Sequence, residues 1–313
     1  MGMKFKHERI KIMEMNLQKL KELLYSDAPI NVILDTDAYN EVDDQFCIAY
    51  CMRAKKINLL SINAAPFLNN RSKDAGDGME KSYQEIFKVM KLVDPNASLP
   101  VYRGSTRFLD NKHTPVESDA ADNIINTVQN SKEPVIVIAI GAITNVASAL
   151  IKCPELAKKT AVVWLGGTAL HHPHTREFNL RQDIPGAQVL FDSGVPLVQI
   201  PCAGVCTEFV TSVPELKYHL GGKNALCDYL VDNGAEECAN YPTPVAGRVI
   251  WDVTAAAAVI CPQYCDIVEI PRPFVTSDCL YAFDSARPHY FYVRHLNRDR
   301  IYNDLFLHLT ENA

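Results

Sequence analysis

The chain has 313 residues, 48% of them hydrophobic, and a formal net charge of −6. That length supports one large domain or two of ordinary size. No basic stretch is dense enough for nucleic-acid binding, and no run reaches the roughly 18 apolar residues of a membrane span.

Residues 1–21 alternate Lys and Glu with Ile, Met and Leu. They lack the apolar core and small-residue cleavage site of a signal peptide. Residues 1–29 are therefore expected to be a peripheral, amphipathic helical segment, and 30–313 a single domain. Residues 30–34 form an apolar run that predicts a buried strand, followed by an acidic turn at 35–44 and a helix at 45–52. A strand at 57–64 comes next, then a polar loop at 69–78. Met79, Tyr83, Ile86, Phe87, Met90 and Val93 recur at helical spacing. Residues 99–102 read as a short strand, and 118–128 as a helix with Ser118 and Asp119 as cap candidates. Strands are expected at 135–140, 161–165 and 195–200, with a helix at 144–151. From 212 to 264 the pattern is more helical, ending in an apolar helix at 251–261. The chain closes on a strand at 290–293 and an amphipathic helix at 299–309. Continuous apolar strands separated by helices imply an α/β fold: a mostly parallel, doubly wound sheet with helices on both faces. Ligands in such sheets bind at the carboxyl ends of the strands.

Ten cysteines do not read as a disulfide framework. Cys47, Cys51, Cys153, Cys227 and Cys261 sit in apolar patterns, and Cys202 and Cys206 have no second pair at zinc-finger spacing. Reduced thiols and a cytoplasmic enzyme are expected.

The acidic turn holds Asp35, Asp37, Glu41, Asp43 and Asp44. Asp35 and Asp37 share a direction because strand side chains repeat every two residues. Carboxylates crowded in one turn raise each other's pKa or bind a cation, and an all-oxygen set suits calcium or magnesium. The plainer alternative is that Asp43 and Asp44 complement the helix N-terminus.

Three further places put polar groups at strand ends. Gly141-Ala142-Ile143-Thr144-Asn145 follows one strand, either as a simple turn capped by Thr144 or as part of a site edge. Gly166-Gly167 opens a loop with His171, His172 and His174 that leads to Glu177-Phe178-Asn179. Those histidines lack zinc-protease spacing, which favours an exposed or substrate-facing loop. Trp251-Asp252 precedes an apolar helix, either as a packed aromatic and a cap or as a base-stacking surface beside an acid.

In this order, Asp35-Thr36-Asp37, Asp43-Asp44, Gly141 to Asn145, Leu165-Gly166-Gly167, Glu177-Phe178-Asn179, Asp183 to Ala187 and Asp252 resemble the motifs of the inosine–uridine-preferring nucleoside hydrolase family. The resemblance spans about residues 30–310. It implies calcium-dependent hydrolysis of the N-glycosidic bond of ribonucleosides. The implied calcium ligands are Asp37, Asp44, Asp252 and the main-chain carbonyl of Ile140, with Asp37 also the general base. Asp43, Asn69, Glu177 and Asn179 would contact ribose, and Asp35 would fix the ligands from behind. The turn between the acid pairs is two residues longer than usual, so Asn40 or Glu41 can enter the site. Trp251 stands where many members carry histidine, which resembles the purine-selective branch; Phe67, Tyr102 or Phe108 are candidates for a second stacking ring. The implied partner is a small-molecule nucleoside, with assembly as a homodimer or homotetramer. Two other readings remain open: hydrolysis of a modified nucleoside, and a catalytically silent nucleoside-binding protein. A phosphohydrolase is disfavoured, because no basic or Gly-rich phosphate cradle lies near the acids in sequence.

Overall fold

The computed structural model describes residues 14–240, 242 and 246–311. The apolar runs that predict strands assemble into one eight-stranded sheet. Its first six members in chain order are β1 (Ile30–Thr36), β2 (Ile57–Ala64), β3 (Val101–Tyr102), β4 (Val135–Ala139), β5 (Thr160–Leu165) and β6 (Leu197–Ile200). A short antiparallel ribbon of β7 (Val210–Ser212) and β8 (Gly247–Val249) stands apart. Then come β9 (Cys265–Pro271), the small pair β10 (Phe274–Val275) and β11 (Tyr281–Ala282), and β12 (His289–Leu296). Strand order in the main sheet is β3-β2-β1-β4-β5-β6-β12-β9. Every pairing in it is parallel except β12 with β9. β9 is the edge strand that the sequence pattern does not predict: its residues are only partly buried, so the apolar signal is weak.

Helices cover both faces: α1 (Leu17–Leu24), α2 (Asp44–Arg53), α3 (Ala75–Val93), α4 (Asp119–Asn130), α5 (Thr144–Lys152), α6 (Phe178–Gln182), α7 (Ile184–Asp192), α8 (Val213–Leu220), α9 (Ala225–Asn240), α10 (Val253–Ile260) and α11 (Arg298–Thr310). α1 buries Leu20 and Leu24, and residues 1–13 of the expected N-terminal helical segment lie outside the described residues. The last residues of the expected 69–78 loop belong to α3, because Asp74 caps that helix by accepting from the Asp77 N–H at 2.8 Å. Ser118 caps α4 as expected.

Alternate residues of β1 face two separate cores. Val32 and Leu34 pack with Phe46 and Ile48 of α2 on one side, and Ile33 packs with Val137, Val146 and Trp164 on the other. β1 has β2 on one flank and β4 on the other, so chain order reverses there. That topological switch opens a crevice at the carboxyl ends of β1 and β4, where doubly wound sheets take their ligands. The Ile140 N–H donates to the Asp35 carbonyl at 2.9 Å and closes the two strand ends together.

Asp183 locks the neighbouring layer. It caps α7 through the Gly186 N–H at 2.7 Å, and also accepts from Thr144 Oγ1 at 2.6 Å and the Leu109 N–H at 3.2 Å. The carboxylate is fully buried, so removing it strands three donors. Asp183→Ala is expected to lose about 2–4 kcal/mol of unfolding free energy in urea titration. A loss below about 0.5 kcal/mol, the range of a neutral surface change, would contradict this bracing role.

Candidate functional site

The two residues at the end of β1 leave on opposite faces. Asp35 is fully buried, and its Oδ1 accepts from Asn145 Nδ2 at 2.9 Å. Asn145 also donates to the Ala64 carbonyl at 3.2 Å and accepts from the Ser105 N–H at 2.8 Å. Through this one amide, α5 ties together the ends of β1 and β2 and the loop after β3. Thr36 turns the other way and donates its hydroxyl to Asp44, the first residue of α2. Behind this turn, a Cβ on Gly141 would stand 2.8 Å from Asp37 Oδ1, so the turn after β4 needs glycine for the acid to fit.

Asp43 and Asp252 occupy the N-cap positions of α2 and α10, yet neither side chain accepts a capping hydrogen bond. Both aim at each other and at Asp44 instead. Oxygens of Asp43, Asp44 and Asp252 lie within 4.8 Å of one another, and the Asp252 N–H donates to Asp43 Oδ2 at 3.4 Å. Two helix N-termini thus converge on three buried carboxylates, and their partial positive charge offsets part of the repulsion. Asp37 is buried beside them, and its Oδ2 has no hydrogen-bond partner.

Burial drives the electrostatics. It pushes Asp35 up to about 7 and Asp44 up to about 8, the charge of Asp43 adding to the latter. Asp37 and Asp252 are raised well above the carboxylate range, by burial first and then by their acidic neighbours. Carboxyls in this position either hold protons or share a cation. The donors are all oxygen, clustered, and in part unpartnered, which fits a hard divalent cation; among the described residues, Cys202 and Cys206 form no comparable group.

The expected residues fall into two groups. Asp35, Asp37, Asp43, Asp44 and Asp252 come together. The converging triad contains Asp43, which the resemblance gives to ribose, while Asp37 stands next to it. The Ile140 carbonyl reaches the site but accepts from Asn179 Nδ2 at 3.0 Å, and the same amide nitrogen donates to the Leu165 carbonyl at 3.0 Å. Glu177 caps α6, accepting from the Asn179, Leu180 and Gly167 N–H groups at 2.8, 3.1 and 2.8 Å. Asn69 is not in the cavity wall. Its Nδ2 donates to Asn40 Oδ1 at 2.7 Å, and it is Asn40 that lines the cavity.

A cavity of about 290 Å³ opens over the acids, at the small end of the roughly 300–1,000 Å³ typical of small-molecule sites. Asn40, Glu41, Asp43, Ile140, Trp251 and Asp252 line it. Glu41 pairs with Arg248, which holds the middle of the acidic turn against β8. The segment from His172 to Asn179 lines it too, through His172, His174, Arg176, Glu177, Phe178 and Asn179. Of the His-rich loop, His172 and His174 therefore face the cavity. Arg176 and Phe178 were not anticipated there, although Phe178 lies inside a recognised motif. The expected second rings, Phe67, Tyr102 and Phe108, are absent from the lining, and Phe67 is fully buried; Phe178 is the aromatic that reaches the cavity along with Trp251.

The family model described as inosine-uridine preferring nucleoside hydrolase matches residues 32–294. Over 197 residues the chain is 27% identical to the non-specific ribonucleoside hydrolase RihC of Salmonella enteritidis, covering 55% of this chain and 60% of that protein. Over 193 residues it is 25% identical to the pyrimidine-specific ribonucleoside hydrolase RihA of Escherichia coli, covering 53% and 58%. The chain thus spans about 60% of the length of the curated relatives it matches. The purine-preferring ribonucleoside hydrolase from Gardnerella vaginalis shares the fold, with a TM-score of 0.74 at 20% identity, over 90% of this chain and 98% of that one.

A cation seated in the acid cluster stabilises the folded state by mass action, by about 2.7 kcal/mol when it is present at a hundred times its dissociation constant. Calcium added to chelator-treated protein is therefore expected to raise the unfolding midpoint by several degrees, and Asp252→Asn to remove most of that gain. An equal gain in the variant would place the cation elsewhere.

Proposed function

Because the chain belongs to the inosine-uridine preferring nucleoside hydrolase family, we propose that it hydrolyses the N-glycosidic bond of ribonucleosides, using calcium and preferring purine bases. The observation that carries this reading is the convergence of uncapped Asp43 and Asp252 with Asp44, the first two lining a cavity that Trp251 also lines.

Asp37, Asp44, Asp252 and the Ile140 carbonyl are the proposed calcium donors, and Asp43 joins them on the strength of its position in the triad. When bound, the ion would supply an anchor for the 2′- and 3′-hydroxyls and lower the pKa of a nearby water. Asp37 keeps one oxygen unpartnered in a buried setting, which suits it to take the proton from the attacking water. As the C1′–N bond lengthens, positive charge develops on the ribosyl ring, and the surrounding carboxylates stabilise it. Asp35 braces the strand end behind this group, its side chain held by Asn145 and its carbonyl by the Ile140 N–H. Asn179 has both amide hydrogens committed to main-chain carbonyls, which leaves its Oδ1 to accept from a ribose hydroxyl. Glu177, held by three N–H groups, offers a fixed carboxylate for the same purpose. Trp251 and Phe178 provide aromatic surface for the base, which supports the purine preference.

Assembly into a homo-oligomer belongs to the same proposal. The exposed Phe274, Leu280 and Phe283 around β10 and β11 support it as a candidate contact patch. All ten cysteines are free, in keeping with a reducing, cytoplasmic setting, and none of the helices described is long and apolar enough to cross a membrane.

Ribose release from a panel of purine, pyrimidine and modified nucleosides tests the reading. Turnover is expected, fastest for purines, and Asp37→Asn is expected to lower kcat by about 10²–10⁴-fold. Release from no member of the panel would overturn the hydrolase assignment; fastest release from pyrimidines would overturn the purine preference alone.

A further inference from the structure

The middle of the acidic turn is bordered by open space. Asn40 and Glu41 line the cavity over the acids, whereas Tyr39, Glu41 and Val42 line a second, polar cavity of about 390 Å³ together with Arg71 and Glu237. Tyr39 is 40% exposed, and neither it nor Val42 belongs to either of the two apolar cores. Core packing therefore gives this stretch little hold, and polar contacts have to supply it.

Those contacts close into a ring of charged residues. Glu237 on α9 is only 3% exposed. Its Oε2 accepts from Arg71 Nη2 at 2.5 Å, and its Oε1 lies 3.9 Å from Nη2 of Arg248 on β8. Arg71, in the loop between β2 and α3, donates from Nη1 to the Glu41 carbonyl at 3.4 Å, and Arg248 pairs with the Glu41 carboxylate. One buried carboxylate thus orients two guanidinium groups, and these hold the main chain and the side chain of the same residue. Asn69 adds a parallel tie, donating from Nδ2 to the Asn40 carbonyl and Oδ1 at 3.2 and 2.7 Å. Such ion pairs add little net stability, because desolvation offsets their attraction. The planar donor fork of arginine is suited instead to fixing direction.

We propose that Glu237 is a positioning residue for the substrate cavity: through Arg71 and Arg248 it fixes Glu41, and with it the part of the wall that Asn40 and Glu41 form. The inference rests on the N-glycosidase reading above and adds to it a residue outside the cavity. Glu237 does not line the space over the acids, so it acts on a nucleoside only through the two arginines. Removing its charge frees both guanidinium groups and lets the wall move. Ground state and transition state then lose the same contacts, which weakens binding without slowing the chemical step. The acids keep their own supports, the Thr36 hydroxyl on Asp44 and the Asp252 N–H on Asp43, and these lie outside the ring.

The test measures kcat and KM, with calcium present, for whichever nucleoside of the panel is cleaved fastest. It uses Glu237→Gln, Arg71→Gln and the double variant, and follows amide hydrogen exchange across residues 38–42 in the same proteins. In each single variant KM is expected to rise at least about five-fold while kcat changes by less than about two-fold, the signature of lost uniform binding. The double variant is expected to exceed the larger single effect by less than about two-fold, because both changes open the same ring. Exchange across 38–42 is expected to quicken by about ten-fold or more while β4, in the core, keeps its protection. An unchanged KM in both single variants, a loss in kcat alone, or additive effects would overturn the positioning role and leave the hydrolase reading standing. Should Glu237→Gln fail to fold, Arg71→Gln, on a partly exposed side chain, decides by the same readings. Cleavage of no nucleoside by the unaltered protein would overturn the hydrolase reading, and exchange across 38–42 would still decide whether Glu237 holds the turn.

Discussion

Four acidic side chains at the end of one buried strand, joined by a fifth from the start of α10, set the terms for the rest of this molecule. Asp35, Asp37, Asp43, Asp44 and Asp252 are all nearly or fully buried, and four of them lie within one turn. Burial makes their ionised forms expensive, and repulsion among Asp37, Asp43, Asp44 and Asp252 makes those four more so. The fold answers with what a chain can supply on its own: two helix N-termini, the Thr36 hydroxyl, the Asn145 amide and main-chain N–H groups. Those donors do not satisfy every oxygen, since Asp35 Oδ2 and Asp37 Oδ2 remain without partners. Under the proposed reading, a divalent cation would complete the balance, since the group could hold a metal ion.

The sheet topology explains why such a cluster can exist. A single turn brings Asp37, Asp43 and Asp44 near one another, but Asp252 lies more than two hundred residues away and arrives on α10. The reversal of strand order at β1 leaves a crevice where α2 and α10 both point their first turns inward. Gly141 on the turn after β4 and Asn145 in the first turn of α5 border the same crevice. The motifs are dispersed along the chain because each marks one strand end around a common point.

The central strands and their helices are legible in the sequence because they are buried on both faces, which writes uninterrupted apolar runs. β9 escapes detection because an edge strand lacks that signature. The acid cluster is legible from spacing alone, and Asp252 becomes so only through the family's motif order. Asn69 illustrates the limit: a motif position carries its usual neighbours only if the intervening loops keep their shape, and here Asn40 stands in the wall with Asn69 bonded to it. Arg176 and Phe178 illustrate another. Nothing in their local pattern distinguishes a loop facing solvent from one facing a cavity. The sequence offers Phe67, Tyr102 and Phe108 as the second ring for the same reason, yet none lines the cavity and Phe67 belongs to the core.

If one cation balances the buried carboxylates, catalysis depends on that cation. Titrating calcium into chelator-stripped protein, with binding stoichiometry and nucleoside cleavage measured on the same samples, tests it most directly. The expected result is one ion per chain, with cleavage rising from near zero and saturating at the same equivalence point. Full cleavage by the stripped protein, or cleavage that rises without a stoichiometric binding event, would contradict the account.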